Sequence, residues 1–224
     1  MKSSLIWVLV LTAGTALSQQ RPSVGLVSKV VLDVTRKDLD SDWQKANRGE
    51  PLASGDRVKT GERSLAVIKF KDNSLVRVRE RSELAVTGDM NGRAFSKDVK
   101  IEKGVVGFTI QKQQPNEEFR FTSPTSVASI RGTGGSFSRQ TDDTLVVTEG
   151  SIMFTNIISN QSVMVEAGFT GISKDDGTIL TRPSTPGERQ SALDASRVGE
   201  QDNKLEFELR DRQGGRKQLR IEYR

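Results

Sequence analysis

The chain of 224 residues contains neither cysteine nor histidine, and these two absences remove more chemistry than any motif in it supplies. The usual zinc ligand sets, histidine-based triads, cysteine nucleophiles and CxxC redox pairs are all excluded. No serine is followed three residues later by lysine, and neither a GxSxG elbow nor a P-loop pattern occurs. Pairs of carboxylates stay open, because 29 Asp and Glu residues allow many and their spacing selects none. Aromatic residues are scarce at 5%. Beyond the N-terminus no stretch approaches the roughly 20 apolar residues of a spanning helix. Without disulfides the fold must rest on ordinary burial, for which about two hundred residues are enough. No catalytic residue, metal or cofactor is expected.

What is present begins with Lys2, an apolar run over residues 5–11, and the small residues Ala13, Gly14, Thr15, Ala16 and Ser18. This is the pattern of a secretory signal peptide over residues 1–18, with Ala16 and Ser18 at the two small positions before a cut. Cleavage is expected between Ser18 and Gln19. The run is too short to span a bilayer, and no cysteine follows the cut to take a lipid, so an exported, periplasmic chain with no membrane span is expected. The net charge is +5, falling to +4 without residues 1–18, whose only charge is Lys2. Acidic residues alternate with basic ones throughout, so nucleic acid is not an expected partner.

From residue 24 to about 172 the chain reads as strand after strand, because short β-branched and aromatic runs alternate with clusters of Gly, Asp, Asn, Ser and Pro. Strands are expected over 25–34, 64–70, 75–79, 83–87, 99–102, 105–111, 119–123, 126–131, 136–139, 144–148, 151–155, 162–166 and 169–172. Side chains at alternate positions share a face, so Ala66 with Ile68 and Phe70, Val106 with Phe108 and Ile110, and Ile152 with Phe154 should point into one core. Gly104, Gly107, Gly132, Gly134, Gly135, Gly150 and Gly168 are read as places where the chain folds back; none fits a phosphate-binding GxGxxG before a helix. The run Glu102, Gly104, Val106, Phe108, Thr109 is echoed by Glu149, Gly150, Ile152, Phe154, Thr155, which suits successive two-strand layers wound over one another. The predicted fold class is all-β: a layered short-strand roll, solenoid-like or sandwich, over residues 19–174.

After Lys174 the character changes. Residues 175–203 read as a turn, a Pro-rich linker at 183–187 and a short helix over 188–198, with Pro186 before it and Gly199 after it. Residues 204–224 alternate apolar and charged side chains around Gly214 and Gly215 and predict a C-terminal β-hairpin.

From Gly49 to Val86 the residues Leu52, Gly55, Asp56, Val58, Thr60, Gly61, Ser64, Ala66, Ile68, Phe70, Asp72, Ser74, Leu75, Val76, Val78, Ser82, Leu84 and Val86 follow in order a pattern that resembles the FecR domain. Gly104, Phe119, Phe121, Pro124, Val127, Ala128, Gly132, Thr133, Phe137, Val147 and Gly150 are similar to the second half of that family, so the resemblance covers about residues 25–172. It departs at Asn73, where the family usually has Gly, and at Gly134 and Gly135, which read as an insertion. The resemblance implies a compact all-β domain of layered short strands. Its best-known members are transmembrane regulators whose periplasmic part contacts an outer-membrane receptor and whose cytoplasmic segment controls a sigma factor. Neither that segment nor a membrane span is read in this sequence, so only fold-level analogy is carried over.

Read from the residues themselves, the motif is architectural. Gly55 with Asp56, Thr60 with Gly61, and Gly132 with Thr133 are expected at turns, where short polar side chains cap free backbone amides. The function expected is a non-enzymatic envelope module for protein interaction, scaffolding or sensing, with an envelope protein as partner. The alternative is a binder of an anionic polymer or cell-wall glycan, but glycan binders favour exposed aromatics. Outside the leader the only Trp and Tyr are Trp43 and Tyr223. Trp43 reads either as a packed flap residue or as a partner platform. The hairpin around Asp72 and Asn73 sets the remaining candidates. A three-residue loop over 72–74 would place Phe70 against Val76 and Ile68 against Val78 on the core face. Lys69 opposite Arg77, and Val67 opposite Arg79, would then lie on the other face. Lys69, Arg77 and Arg79 are thus the candidate contacts for an acidic protein surface or anionic polymer.

Overall fold

The structure is a computed structural model that describes residues 22–91 and 94–197 and the backbone of two later strands, 204–210 and 216–222. The strands follow one another as β1 (Ser23–Val31), β2 (Val34–Lys37), β3 (Gln44–Lys45), β4 (Pro51–Ala53), β5 (Arg57–Thr60), β6 (Leu65–Phe70), β7 (Leu75–Val78), β8 (Glu83–Asn91) and β9 (Ala94–Thr109). They continue as β10 (Glu118–Thr122), β11 (Ser126–Ile130), β12 (Gly134–Arg139), β13 (Asp143–Glu149), β14 (Ser151–Asn156), β15 (Ser162–Glu166), β16 (Phe169–Ser173) and β17 (Ile179–Pro183). Helix α1 (Pro186–Ser196) comes next, and then the hairpin of β18 (Lys204–Arg210) and β19 (Arg216–Glu222). The signal-peptide reading falls on residues 1–18, which lie outside the described residues.

The chain lays down hairpins alternately in two layers. Sheet A runs β4-β1-β6-β7-β9-β12-β13-β16-β17. Sheet B runs β3-β2-β5-β8-β9-β10-β11-β14-β15. Only β9 with β10 is parallel; every other pair is antiparallel. The expected layered roll is therefore present. Strand β9 belongs to both layers, pairing with β8 in sheet B up to Lys103 and with β7 and β12 in sheet A from Gly104 onward. Sequence reading divided it at the same place, into 99–102 and 105–111. The chain changes layer at Gly104, whose φ is +96°. A side chain there would lie 2.5 Å from the Ser82 Cα. Gly150, with φ +78°, stands where β13 of sheet A gives way to β14 of sheet B. The sequence echo between the two segments thus marks the same event, a crossing between layers, in opposite senses.

The core lies between the layers because the apolar face of every strand points there. Phe70, Phe108 and Phe137 from sheet A meet Phe119, Phe121 and Phe154 from sheet B, all essentially buried. Ring centroids are 5.0 Å apart for Phe70–Phe119, 4.8 Å for Phe108–Phe121 and 6.1 Å for Phe137–Phe154. Burying each ring contributes on the order of 2–3 kcal/mol. This spine replaces the disulfides that the chain lacks.

Four parts of the sequence reading need revision. The one strand expected over 25–34 is two, β1 ending at Val31 in sheet A and β2 starting at Val34 in sheet B, with Leu32 at φ +58° between them. Strands β3, β4 and β5 were not expected, because they have four residues or fewer and too little alternation to register. Residues 179–183, read as the approach to a linker, form β17 and pair with β16 along its length. The helix begins at Pro186 rather than 188: Pro186 is its first residue, and Thr185 is the N-cap in a capping box with Glu188. Ala192 and Ala195 are buried against β9, β12 and β13, so α1 lies across the outer face of sheet A.

Candidate functional site

The motif residues sit at successive turns near the start of the roll. Gly55 has φ +92°, and Asp56, almost fully buried, accepts the Ala53 amide at 3.0 Å. The Thr60 hydroxyl donates to the Arg79 carbonyl at 2.5 Å and accepts the Ser82 amide at 3.0 Å, joining the β5 end to the β7–β8 turn. Gly61 makes way for the Asp33 side chain, which would stand 2.6 Å from a Cβ. Gly132 has φ +114°, and the Cα of Lys112 would stand 2.9 Å from a Cβ there. Thr133 is buried, its methyl packed against Gly150. Asp56 and Thr60 bond backbone groups at their turns, whereas the buried Thr133 hydroxyl has no hydrogen-bond partner and so does not cap a backbone amide.

An open pocket of about 440 Å³ lies beside the first of these turns, lined by Pro22, Arg36, Asp38, Pro51 and Asp56 among others. Its charges compensate one another. Arg36 Nε donates to Glu50 at 2.5 Å, and its Nη1 lies 3.5 Å from Asp56. The Ser41 hydroxyl and the Asp40 amide hold the Asp38 carboxyl below its ordinary range. Among the described residues that line it, the hydroxyl is that of Ser23, and it donates to the Gly25 carbonyl at 2.7 Å.

Two polar clusters inside the roll were not found by reading the sequence. Lys97 is 1% exposed, and its ammonium donates to Asp72 at 2.8 Å and to Gln113 at 2.9 Å, with the Phe119 ring centroid at 6.0 Å. Burial alone would raise the Asp72 carboxyl. Hydrogen bonds from Lys97, Gln113 and the Ser74 amide outweigh that and hold it below its ordinary value. Asp143 is fully buried and accepts the hydroxyls of Thr125 at 2.6 Å, Ser126 at 2.7 Å and Ser123, with Arg139 Nη1 at 3.2 Å. A carboxylate whose oxygens take three hydroxyls and a guanidinium is a structural knot, tying the β10–β11 turn to β13. Both clusters were invisible because polar residues beside Gly, Asn or Ser read as loop. Only the layering brings residues 72, 97 and 113 to one point.

The basic residues do not form the stripe that the sequence suggested. The β6–β7 loop has three residues but begins one position earlier, at Lys71. Phe70 therefore accepts Asn73 N–H at its carbonyl and donates its own N–H to Ser74, with Asn73 at φ +65°. Ile68 pairs with Val76 and Ala66 with Val78, so the core face is preserved, whereas Lys69 faces Leu75 and Arg77 faces Val67. Lys69 is exposed. Arg77 is buried between Val67 and Gly107 and donates to the Thr109 hydroxyl at 3.1 Å. Burial, and then the Arg79 charge, lower its pKa. Arg79 is half-buried. Trp43 is 36% exposed, with the Lys59 ammonium 5.8 Å from its ring centroid. It stands apart from the three cations in sequence and in strand order.

The largest exposed apolar side chains of the later layers gather around β14, β15 and β17: Met153, Met164, Ile157, Ile158 and Leu180. Among the described residues no helix is long and apolar enough to cross a membrane.

Comparison with known proteins places this geometry. Two crystal structures of a proposed anti-sigma factor from Parabacteroides distasonis ATCC 8503 match it at 11% identity. One covers 57% of this chain and 59% of its own with a TM-score of 0.49. The other covers 61% and 63% with a TM-score of 0.52, and this second match shows a shared fold. The chain spans about three fifths of the length of those structures. No curated protein matches it significantly. The model of the family described as FecR protein matches residues 56–153, from the buried Asp56 to the outward Met153, and it is this stretch of the roll that matches a FecR domain.

Proposed function

We propose that this chain is a non-enzymatic sensing or regulatory module of the cell envelope that works through protein contact. One observation carries the reading: within the FecR match, the buried side chains of Asp56, Thr60 and Asp143, which could have carried chemistry, are each taken up by hydrogen bonds that hold the fold. Asp56 caps Ala53, Thr60 bridges Arg79 and Ser82, and Asp143 is saturated by hydroxyls. What the domain offers outward is strand edges and exposed apolar side chains, the means of a binding module. The solved structure matched at a TM-score of 0.52, described as an anti-sigma factor, is of a regulatory kind that fits the proposal.

Crosslinking in intact cells tests the reading. Recovery of a defined envelope protein, such as a receptor or a membrane-bound regulator, is the expected result. Recovery of glycan strands alone would overturn it in favour of a cell-wall polymer. Export is proposed from Lys2, the run 5–11, Ala16 and Ser18, and the N-terminus of the purified protein should be Gln19. An intact Met1 in a cytosolic fraction would refute the envelope reading.

A further inference from the structure

A sheet edge left open is a template for another strand, and proteins ordinarily blunt such edges with short strands, Pro, Lys or bulges. In this roll β3 has two residues, β4 opens on Pro51, and β17 carries Arg182 and closes on Pro183. Strand β15 differs. It runs five residues in unbroken register with β14 and contains no Pro, no basic residue and no bulge. The Asn156 amide bonds the Gln161 carbonyl, and Ala167 bonds Gly150. By antiparallel alternation the backbone groups of Val163 and Val165 then face β14, and those of Ser162, Met164 and Glu166 face the open edge. The side chains of these last three are exposed, while Val165 is buried in the core. Met164, 46% exposed, stands directly opposite Met153, 43% exposed, on the outer face of sheet B.

We propose that β15 pairs with β15 of a second copy of this chain, antiparallel about a two-fold axis through Met164, so that sheet B continues across the dimer. The edge is self-complementary in that register. Met164 meets the second copy's Met164, and Ser162 meets the second copy's Glu166, so every outward N–H and C=O on β15 is matched. The two Glu166 carboxylates lie four residues apart along the pair, roughly 14 Å at 3.4 Å per residue. That exceeds the screening length of about 8 Å at physiological salt. Sliding the pair by two residues sets Glu166 over Met164 and leaves an outward group without a partner. In the symmetric register Met153 and Met164 of both copies form one apolar strip of adaptable side chains. Leu180 of β17, which lies beside β15, extends the apolar surface at the same end of the roll. This inference goes beyond the proposed function and does not depend on which envelope protein is the partner.

The chain has no native cysteine, so single-cysteine variants give a clean test. Sedimentation of the purified protein should show a concentration-dependent dimer, and Met164→Cys should form a disulfide-linked dimer on mild oxidation. Positions facing themselves in a hydrogen-bonded pair have Cα atoms about 5.5 Å apart, within disulfide reach. Ser162→Cys alone should not crosslink, but a mixture with Glu166→Cys should. Met164→Pro removes an N–H that points away from β14 and is tolerated at an edge. It should keep the unfolding midpoint and weaken dimerisation by about tenfold or more. A monomer at all accessible concentrations overturns the proposal. So does Met164→Cys crosslinking no faster than Ser162→Cys, or a folded Met164→Pro that dimerises as the parent does.

Discussion

Gly107 is the position at which one added methyl should report on how the helix is seated. It lies mid-strand in β9, opposite Arg77 on one side and Ser136 on the other. A Cβ there would stand 2.0 Å from the Ala195 carbonyl oxygen, 2.2 Å from its carbon and 2.6 Å from the Ser196 nitrogen. Ordinary contact begins at 3.4 Å, and all three atoms are backbone, so the last turn of α1 must rise by roughly 1.4 Å as a unit. That movement strains the hydrogen bond from the Ser196 hydroxyl to the Gly135 carbonyl, now 2.7 Å, and uncovers Ala195. Overpacking of this kind costs about 1–3 kcal/mol, offset by roughly 0.5–1 kcal/mol from the stiffer unfolded chain. A net loss of about 1–2 kcal/mol for Gly107→Ala corresponds to a fall in Tm of roughly 2–8 °C for a domain of this size. Thermal unfolding gives the magnitude, and hydrogen exchange gives the place: α1 amides should lose protection before those of β6 and β12. Gly187, in the first turn of the same helix, has nothing within 4 Å of its would-be Cβ. Gly187→Ala should therefore stabilise by up to about 1 kcal/mol. If Gly107→Ala melts at or above the parent with α1 still protected, the helix does not rest on β9 as described.

Three further outcomes follow from the buried and capped polar groups. Glu188 is paired with Arg182 at 2.7 Å and caps the Thr185 amide; the Arg182 hydrogen bond dominates, against some desolvation, and lowers its pKa to about 2. Because the folded value lies below the ordinary 4.5, its stabilisation is present above that pH and disappears as pH falls toward 2. Glu188→Gln should flatten acid unfolding in that window and, with Arg182 partly screened by solvent, cost about 1 kcal/mol at neutral pH. Asp143→Ala removes the acceptor of three buried hydroxyls and one of the two carboxylates beside Arg139, and should cost about 3 kcal/mol in urea unfolding, a loss under 1 kcal/mol arguing against the knot. Gly132→Val must adopt φ +114° beside the Lys112 backbone and should cost about 1–3 kcal/mol; an unchanged Tm with altered partner binding would make that glycine functional.

Period-two alternation determined that this chain is all-β and built of many short strands, leaving roll, solenoid and sandwich open, because a core between two sheets needs one apolar face per strand and nothing longer in range. The faces of Ile68, Val76, Phe108 and Phe154 were legible for that reason. So were the turns at Gly55, Thr60 and Gly132, where residue type and backbone conformation are locally coupled. The β6–β7 face was also legible while its register was not: moving a three-residue loop by one position changes each pairing by two and leaves every side chain on its own face. Arg77 reads as a surface charge on the outer face of sheet A and is buried there because α1 folds back over that sheet, which no local signal announces. Lys97 with Asp72 and Gln113, and Asp143 with Ser123 and Thr125, depend on contacts between residues up to 41 positions apart, which composition and periodicity do not encode. Likewise Ser162, Met164 and Glu166 announce a strand, but only the order of strands in sheet B leaves that strand last, with its backbone facing outward.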